Sequence, residues 1–447
     1  MARTVKDAEA GGGGGLVVFY CFLVAVLEGF DIQAMGVAAP KFAAELGLAK
    51  DVLGEALAAS NIGLVLGAVL GGWLADRLGR KRVLIGSVLM FGAFTLLTMR
   101  AGGFTDLFAA RLGAGLGFGA ALPNIMALSA EVGSADRRGS TGAMMFCGMP
   151  LGGGLVAMFS YLAHALDWRV LFLVGGLAPL VLAGVMLVSM KTPAAAVVAA
   201  PREAGFRWKW LALVPLYGLF YAVLAGLRVL PGMAAIGGLA PWLALLPTVI
   251  VGYLAVNRHA LFGEGRAAAS WLLWLIFFPT LLILYLVLNW LPTLVIDKGF
   301  VREASLASAA FNFASVVGAL VLGRLVDGRG LRWPLASAYV GLIVGLLALA
   351  RAADLAAVLA LSGVVGFCLL GANYALYGAA ASYYPAAFRG RGAGAAVAWG
   401  RFGAVIGPLV GGQLLQAGRG GDVVVIGMAP IAGVALLGVI LLTALRR

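Results

Sequence analysis

Residues 27–40 read LEGFDIQAMGVAAP. They lie inside an apolar run that begins near Leu16, and two carboxylates, Glu28 and Asp31, interrupt that run three residues apart. Positions i and i+3 share a helix face, so both acids are expected on one side. An acid in a membrane span costs roughly 2.5–3.5 kcal/mol on insertion scales and therefore faces a cavity or a partner. The rest of the chain is expected to hold this acidic face near the middle of a membrane and to move around it.

Composition supports a membrane setting. Of 447 residues, 62% are hydrophobic and only 11% charged, and the mean hydropathy is +1.02. Apolar runs of about 20 residues recur, each long enough to cross a hydrocarbon layer. Backbone groups in lipid must be satisfied within the segment, and the alternating polarity of a membrane strand is absent, so the runs are expected to be helices. The 66 glycines suit close helix packing. The net charge of +13 is spread over short clusters between the runs. That distribution fits positive-inside bias and gives no continuous surface for nucleic acid. Cys21, Cys147 and Cys368 all sit in apolar runs and are expected to be packing residues, without disulfide or metal roles. The polar, Gly-rich residues 1–15 are expected to form a tail; the first apolar run is too long for a cleavable signal.

Six spans are expected near 16–37, 53–75, 83–99, 107–130, 140–163 and 168–190, and six more near 270–293, 304–323, 333–351, 354–377, 391–413 and 424–444. This divides the chain into an N-terminal six-helix bundle (1–191), a central linker (192–269) and a C-terminal six-helix bundle (270–447). Within the linker, 210–227 and 229–256 are two further apolar runs separated by Arg228, expected as an added hairpin. With the N-terminus inside, Lys and Arg in inner segments outnumber those in outer loops about three to one. Both termini are therefore expected on the cytoplasmic side of a bacterial inner membrane.

The two halves echo each other. GGWLADRLGRKR (71–82) follows the second span of the first half, and GALVLGRLVDGRG (318–330) follows the second span of the second. Each sets a Gly-rich helix end beside an Asp and a basic cluster. Such a repeat at half-chain distance marks a duplicated transporter. The chain here resembles the major facilitator superfamily, whose signature loop GGWLADRLGRKR resembles. The resemblance implies an all-α polytopic fold of two pseudo-symmetric six-helix bundles. It also implies gating roles for Asp76, Arg77, Arg80 and Lys81, and Asp327 and Arg389 are gating candidates of the second half. Glu131, near Arg137 and Arg138, is expected to form a cytoplasmic gate pair.

The resemblance narrows further. LEGFDIQAMGVAAP is similar to the first-helix motif of the aromatic acid/proton symporter family, Asp-Gly-x-Asp, with Glu28 standing where that family usually has Asp. Residues 129–153, 289–295 and 383–412 are also similar to that family, so the resemblance covers nearly all of the chain outside 192–260. Burial and a like-charged neighbour disfavour two charges on one helix face, so one of the pair can take a proton on one side and release it on the other.

Two cations and several aromatics complete the candidate site. Arg111 opens RLGAGLGFG in the fourth span; its guanidinium can pair with Glu28 or Asp31, or hold a substrate carboxylate, or snorkel to the outer interface. The resemblance implies a proton-coupling role. Arg401 lies ten residues past Arg391 in the eleventh span, about 15 Å deeper along a helix, and is the first candidate for a substrate carboxylate. Tyr285, Asn289 and Trp290 in the seventh span, Asn373, Tyr374 and Tyr377 in the tenth, and Phe30 between the two acids are candidate walls for an aromatic ring and its hydroxyl. Aromatics near span ends also serve as interfacial belts.

No metal-ligand set and no Walker-type phosphate loop occurs, and GLGFG (115–119) lies in an apolar helix rather than a dinucleotide fold. No cofactor is expected. An enzyme would need a nucleophile and a base together, and none converge. The expected function is proton-coupled symport of an aromatic carboxylate such as hydroxybenzoate, benzoate or protocatechuate by a monomer in the lipid bilayer. A carrier for another small organic anion or a sugar, or a drug or metabolite exporter, stays open.

Overall fold

The structure is a computed structural model, and it describes residues 2–132, 138–190, 261–385 and 388–445, together with Ala244, Thr248 and His259. Among them are twelve α-helices and no strand. The first six are α1 (Ala2–Glu45), α2 (Lys50–Leu78), α3 (Arg80–Thr98), α4 (Phe104–Val132), α5 (Arg138–Leu162) and α6 (Arg169–Ser189). The second six are α7 (Ala267–Asp297), α8 (Ala304–Arg329), α9 (Arg332–Arg351), α10 (Leu355–Ala380), α11 (Arg389–Gln416) and α12 (Gly421–Ala444). Ten are long and apolar enough to cross a membrane. Large apolar side chains stand exposed along them, up to 92% at Val188, and such a surface is one that lipid covers.

Helix α1 begins at Ala2, so the residues expected as a tail extend the first helix instead. Adding residues to a formed helix is far easier than nucleating one, which lets even Gly-rich sequence follow. The two additional runs expected at 210–227 and 229–256 lie outside the described residues, except for Ala244 and Thr248. Those two are helical and buried, with Thr248 Oγ1 donating to Ala244 O at 2.7 Å.

The halves repeat one packing plan. In the first, α1 packs on α5, α2 on α4 and α3 on α6; in the second, α7 packs on α11, α8 on α10 and α9 on α12. Glycine sets the closest of these approaches. A methyl group at Gly152 would lie 1.8 Å from Val26 O between α5 and α1, and one at Gly403 would lie 2.2 Å from Phe278 O in the matching pair. The echoing loops also match: α2 ends at Gly79 with φ +86°, and α8 ends at Gly330 with φ +74°. Both glycines adopt backbone that other residues rarely do.

Across the halves, α2 packs on α11 and α5 on α8, again as symmetric partners. These seams hold at the end away from the termini. Lys50 N–H donates to Gln416 Oε1 at 3.2 Å, Asn61 Nδ2 donates to Ala404 O at 3.0 Å, and the Arg302 guanidinium sits 5.5 Å from the centre of the Tyr161 ring. A small apolar cluster of Ala58, Ile62 and Val405 fills the α2–α11 seam. The largest core also crosses between halves, running from Phe42 and Trp168 to Phe277 and Trp290.

Candidate functional site

Helix α1 is pressed against both halves at its middle. A methyl group at Gly29 would lie 1.8 Å from Met149 O of α5, and one at Gly36 would lie 2.3 Å from Leu288 O of α7. Asp31 and Gln33 lie between these two glycines, and Glu28 directly precedes the first.

Asp31 and Arg111 form a bidentate pair, and neither side chain is exposed. Arg111 lies two turns into α4, so its stem cannot reach an interface, and the snorkelling alternative falls away. Its Nη1 donates to Asp31 Oδ1 at 3.0 Å, Nη2 to Asp31 Oδ2, and Nε to Ser60 Oγ at 3.0 Å. Thr95 Oγ1 donates to Asp31 Oδ1 at 2.8 Å, and the Phe172 ring lies 5.8 Å from the guanidinium carbon. Four helices therefore satisfy one buried ion pair. That satisfaction is what such a pair needs to persist away from water.

Glu28 differs. It is fully buried, yet neither carboxylate oxygen has a hydrogen-bond partner among the described residues. Arg401 of the other half and Asp31 on its own helix are the charges that act on it. The two acids, three residues apart, thus answer to different cations on different halves.

Between the halves lies a partly enclosed cavity with about 590 Å³ of empty space, the part open to solvent included. Arg401, Tyr285, Asn373, Tyr374 and Tyr377 line it from the second half, and Gly29, Gln33, Met149 and Pro150 from the first. Arg401 Nη1 donates to Tyr285 Oη at 2.7 Å, and the Tyr374 and Tyr377 ring centres lie 6.4 Å apart. The arrangement offers a cation with spare N–H donors beside flat apolar walls.

Three of the expected wall residues are elsewhere. Phe30 turns to α6, where its ring faces Gly175. Trp290 is wholly buried with Nε1 donating to Pro408 O at 2.9 Å, and its ring fills the space beside Gly411. Asn289 turns its amide back on the previous turn, Nδ2 donating to Tyr285 O at 2.7 Å. A seventh-helix face chosen by residue type alone overlooks that an Asn in a helix can spend its donor on the i−4 carbonyl.

Two amides were not foreseen. Gln33 Nε2 donates to Leu288 O at 3.1 Å, and Gln33 Oε1 accepts from Asn312 Nδ2 at 2.9 Å. The signal was available at Gln33, four residues past Gly29 and hence on the same face. Of the gating candidates, Arg77 is exposed and stacks on Trp73 at 3.9 Å, Lys81 is half-buried on α3, and Asp327 and Arg389 are exposed. Arg80 lies in the first turn of α3. Asp76 and Glu131 are placed only as positions in the last turns of α2 and α4, and Arg137 lies outside the described residues.

Comparison with known proteins gives the family. The sequence matches the Major Facilitator Superfamily over residues 21–302 and 273–447. It is 36% identical to a 3-(3-hydroxy-phenyl)propionate transporter of Escherichia coli (strain K12) over 96% of this chain and 94% of that protein. It is 35% identical to a gallate transporter of Pseudomonas putida (91% and 86% covered), and 34% identical to a 4-hydroxybenzoate transporter of the same species (95% and 91% covered). Among solved structures, a POT family transporter in complex with a thioalcohol-conjugated peptide superposes with a TM-score of 0.72 at 15% identity, over 97% of this chain and 96% of that one. A D-xylose-proton symporter superposes at 0.68 and 15%, over 95% and 96%.

Proposed function

This chain belongs to the major facilitator superfamily, and we propose that it takes up an aromatic carboxylate together with protons, by alternating exposure of the cavity between its halves. It is a membrane transporter of aromatic acids, not an enzyme. The observation that carries the finer proposal is the Arg401 guanidinium, which lines a tyrosine-walled cavity between the halves with donors to spare. A carboxylate accepts from such a fork bidentately, and the ring lies against Tyr374 and Tyr377.

Protons enter through the acids of α1. Glu28, without a hydrogen-bond partner and facing the charge of Arg401, is the group that exchanges its proton with the cavity. Asp31, held by Arg111, Thr95 and α4, relays the change to the first half. Substrate at Arg401 and a proton at Glu28 together lower the charge between the halves, and the seams at the end away from the termini then part and re-form. Entry of each positive charge down the membrane potential supplies about 2.3 kcal/mol per 100 mV. The termini are cytoplasmic, the membrane is the bacterial inner one, the unit is the monomer, and the basic residues Arg77, Arg80, Lys81, Arg137 and Arg389, with Asp76, Glu131 and Asp327, close the cytoplasmic side. The chain divides at 191 and 269 into two bundles and a linker.

Uptake of radiolabelled 4-hydroxybenzoate into liposomes holding the purified protein tests this. Accumulation should follow an inward proton gradient and collapse with a protonophore. Accumulation indifferent to the gradient would overturn the coupling.

A further inference from the structure

Beside the cavity is an acceptor that no described residue satisfies. Asn373 of α10 lines it, is 3% exposed, and its Oδ1 has no hydrogen-bond partner among the described residues. A buried amide oxygen without a donor is costly, and such orphans are rare in folded proteins. In the same lining Gln33 donates to Leu288 O, Asn312 donates to Gln33 Oε1 and Ser308 O, and Arg401 donates to Tyr285 Oη. The rest of the second-half lining is largely apolar, with Leu281, Leu284, Leu288 and Leu370. The lining thus combines one cation, the tyrosine hydroxyls, flat ring walls and an amide oxygen without a partner among the described residues. The complementary molecule has a carboxylate, a ring and a ring-borne O–H donor.

We propose that Asn373 Oδ1 accepts a hydrogen bond from a ring hydroxyl of the substrate, and that Asn373 thereby makes the transporter select hydroxylated aromatic acids over unsubstituted ones. This rests on the function proposed above. A site built to bond a hydroxyl rejects the analogue lacking it, because its own polar group is then left bare. An apolar wall at position 373 removes that penalty and the preference with it. Asn373 touches the ring end of the substrate, so its loss changes selectivity between acids more than it changes recognition of the carboxylate.

The experiment is competition uptake in proteoliposomes with benzoate, 3-hydroxybenzoate and 4-hydroxybenzoate as probes, for the full chain and for Asn373→Leu and Asn373→Ala. In the unaltered protein at least one hydroxybenzoate should have the lower KM. In either variant the KM ratio of that hydroxybenzoate to benzoate should rise about tenfold, benzoate moving far less. An unchanged ratio in the variants, equal loss of all three acids in both, or no preference in the unaltered protein would each overturn the role of Asn373. Failure of the unaltered protein to take up any of the three acids would instead overturn the proposed function itself.

Discussion

Arg111 holds both oxygens of Asp31, and the two side chains are sealed from solvent at the junction of α1 and α4. Removing one member of such a pair strands the other charge, which costs about 3–5 kcal/mol, whereas removing both costs much less. Asp31→Asn and Arg111→Gln should each lower the thermal stability of the detergent-solubilised protein sharply. The double variant should recover most of that loss without recovering proton-driven accumulation. If the double variant were as unstable as the sum of the singles, the pair would not be the unit acting here.

Glu28 separates coupling from stability. Among the described residues its carboxylate makes no hydrogen bond that an amide would break. Glu28→Gln should therefore fold as well as the unaltered protein and still exchange substrate across the membrane, yet fail to accumulate it against a gradient. Uptake by this variant that still followed the proton gradient would remove Glu28 from the coupling path.

Arg401→Lys keeps the charge and loses the fork, and Arg401→Ala loses both. Charge-assisted hydrogen bonds to a carboxylate are worth roughly 1.5–3 kcal/mol, so the Ala change should raise the Kd for an aromatic acid by about 10- to 100-fold, with Lys in between. Tyr285→Phe removes only the hydroxyl that accepts from Arg401 and should shift Kd a few-fold. Isothermal titration with 4-hydroxybenzoate and its amide decides the matter, because an amide that binds Arg401-intact protein as tightly as the acid excludes a carboxylate contact.

Charge made the site legible where polarity did not. Glu28, Asp31, Arg111 and Arg401 stand out because an ion in an apolar run has few affordable places to be. The repeated Gly-Asp-basic loops exposed the duplication, and the structure ends both second helices on a positive-φ glycine. Gln33 and Asn312 carry no charge, and an isolated amide in an apolar helix can as well bond its own backbone, as Asn289 does. Only their distance across the seam tells the cases apart. Trp290 misled for a related reason: its ring and Nε1 are consumed by the approach of α11 at Gly411 and Pro408, a contact more than a hundred residues away in sequence.

The amides Gln33 and Asn312 join α1 to α7 and α8 across the halves. Hydrogen bonds of this kind contribute roughly 0.5–1.5 kcal/mol each. Gln33→Leu should loosen the closed seam and increase the share of molecules open at the end away from the termini. Spin labels at Lys50→Cys and Arg419→Cys, in a background lacking Cys21, Cys147 and Cys368, report that opening. Their distance distribution should gain a longer component in the Gln33 variant, and an unaltered distribution would leave the amide bridge without a gating role.

The close approach at Gly29 gives the last test. A methyl group there would meet Met149 O at 1.8 Å, and the obstacle is backbone, which cannot swing aside as a side chain can. Gly29→Ala must therefore push α1 away from α5, next to Glu28 and beneath the cavity. Gly86, on the exposed face of α3, has nothing within 4 Å of the same methyl. Gly86→Ala should be neutral or stabilising by about 0.4–1 kcal/mol, since it only reduces the freedom of the unfolded chain. Gly29→Ala should lower the melting temperature and reduce transport more than tenfold, while Gly86→Ala changes neither for the worse. Equal behaviour of the two variants in thermal unfolding and uptake would mean that α1 has slack at Gly29, and that the acids it carries are not held in place by this contact.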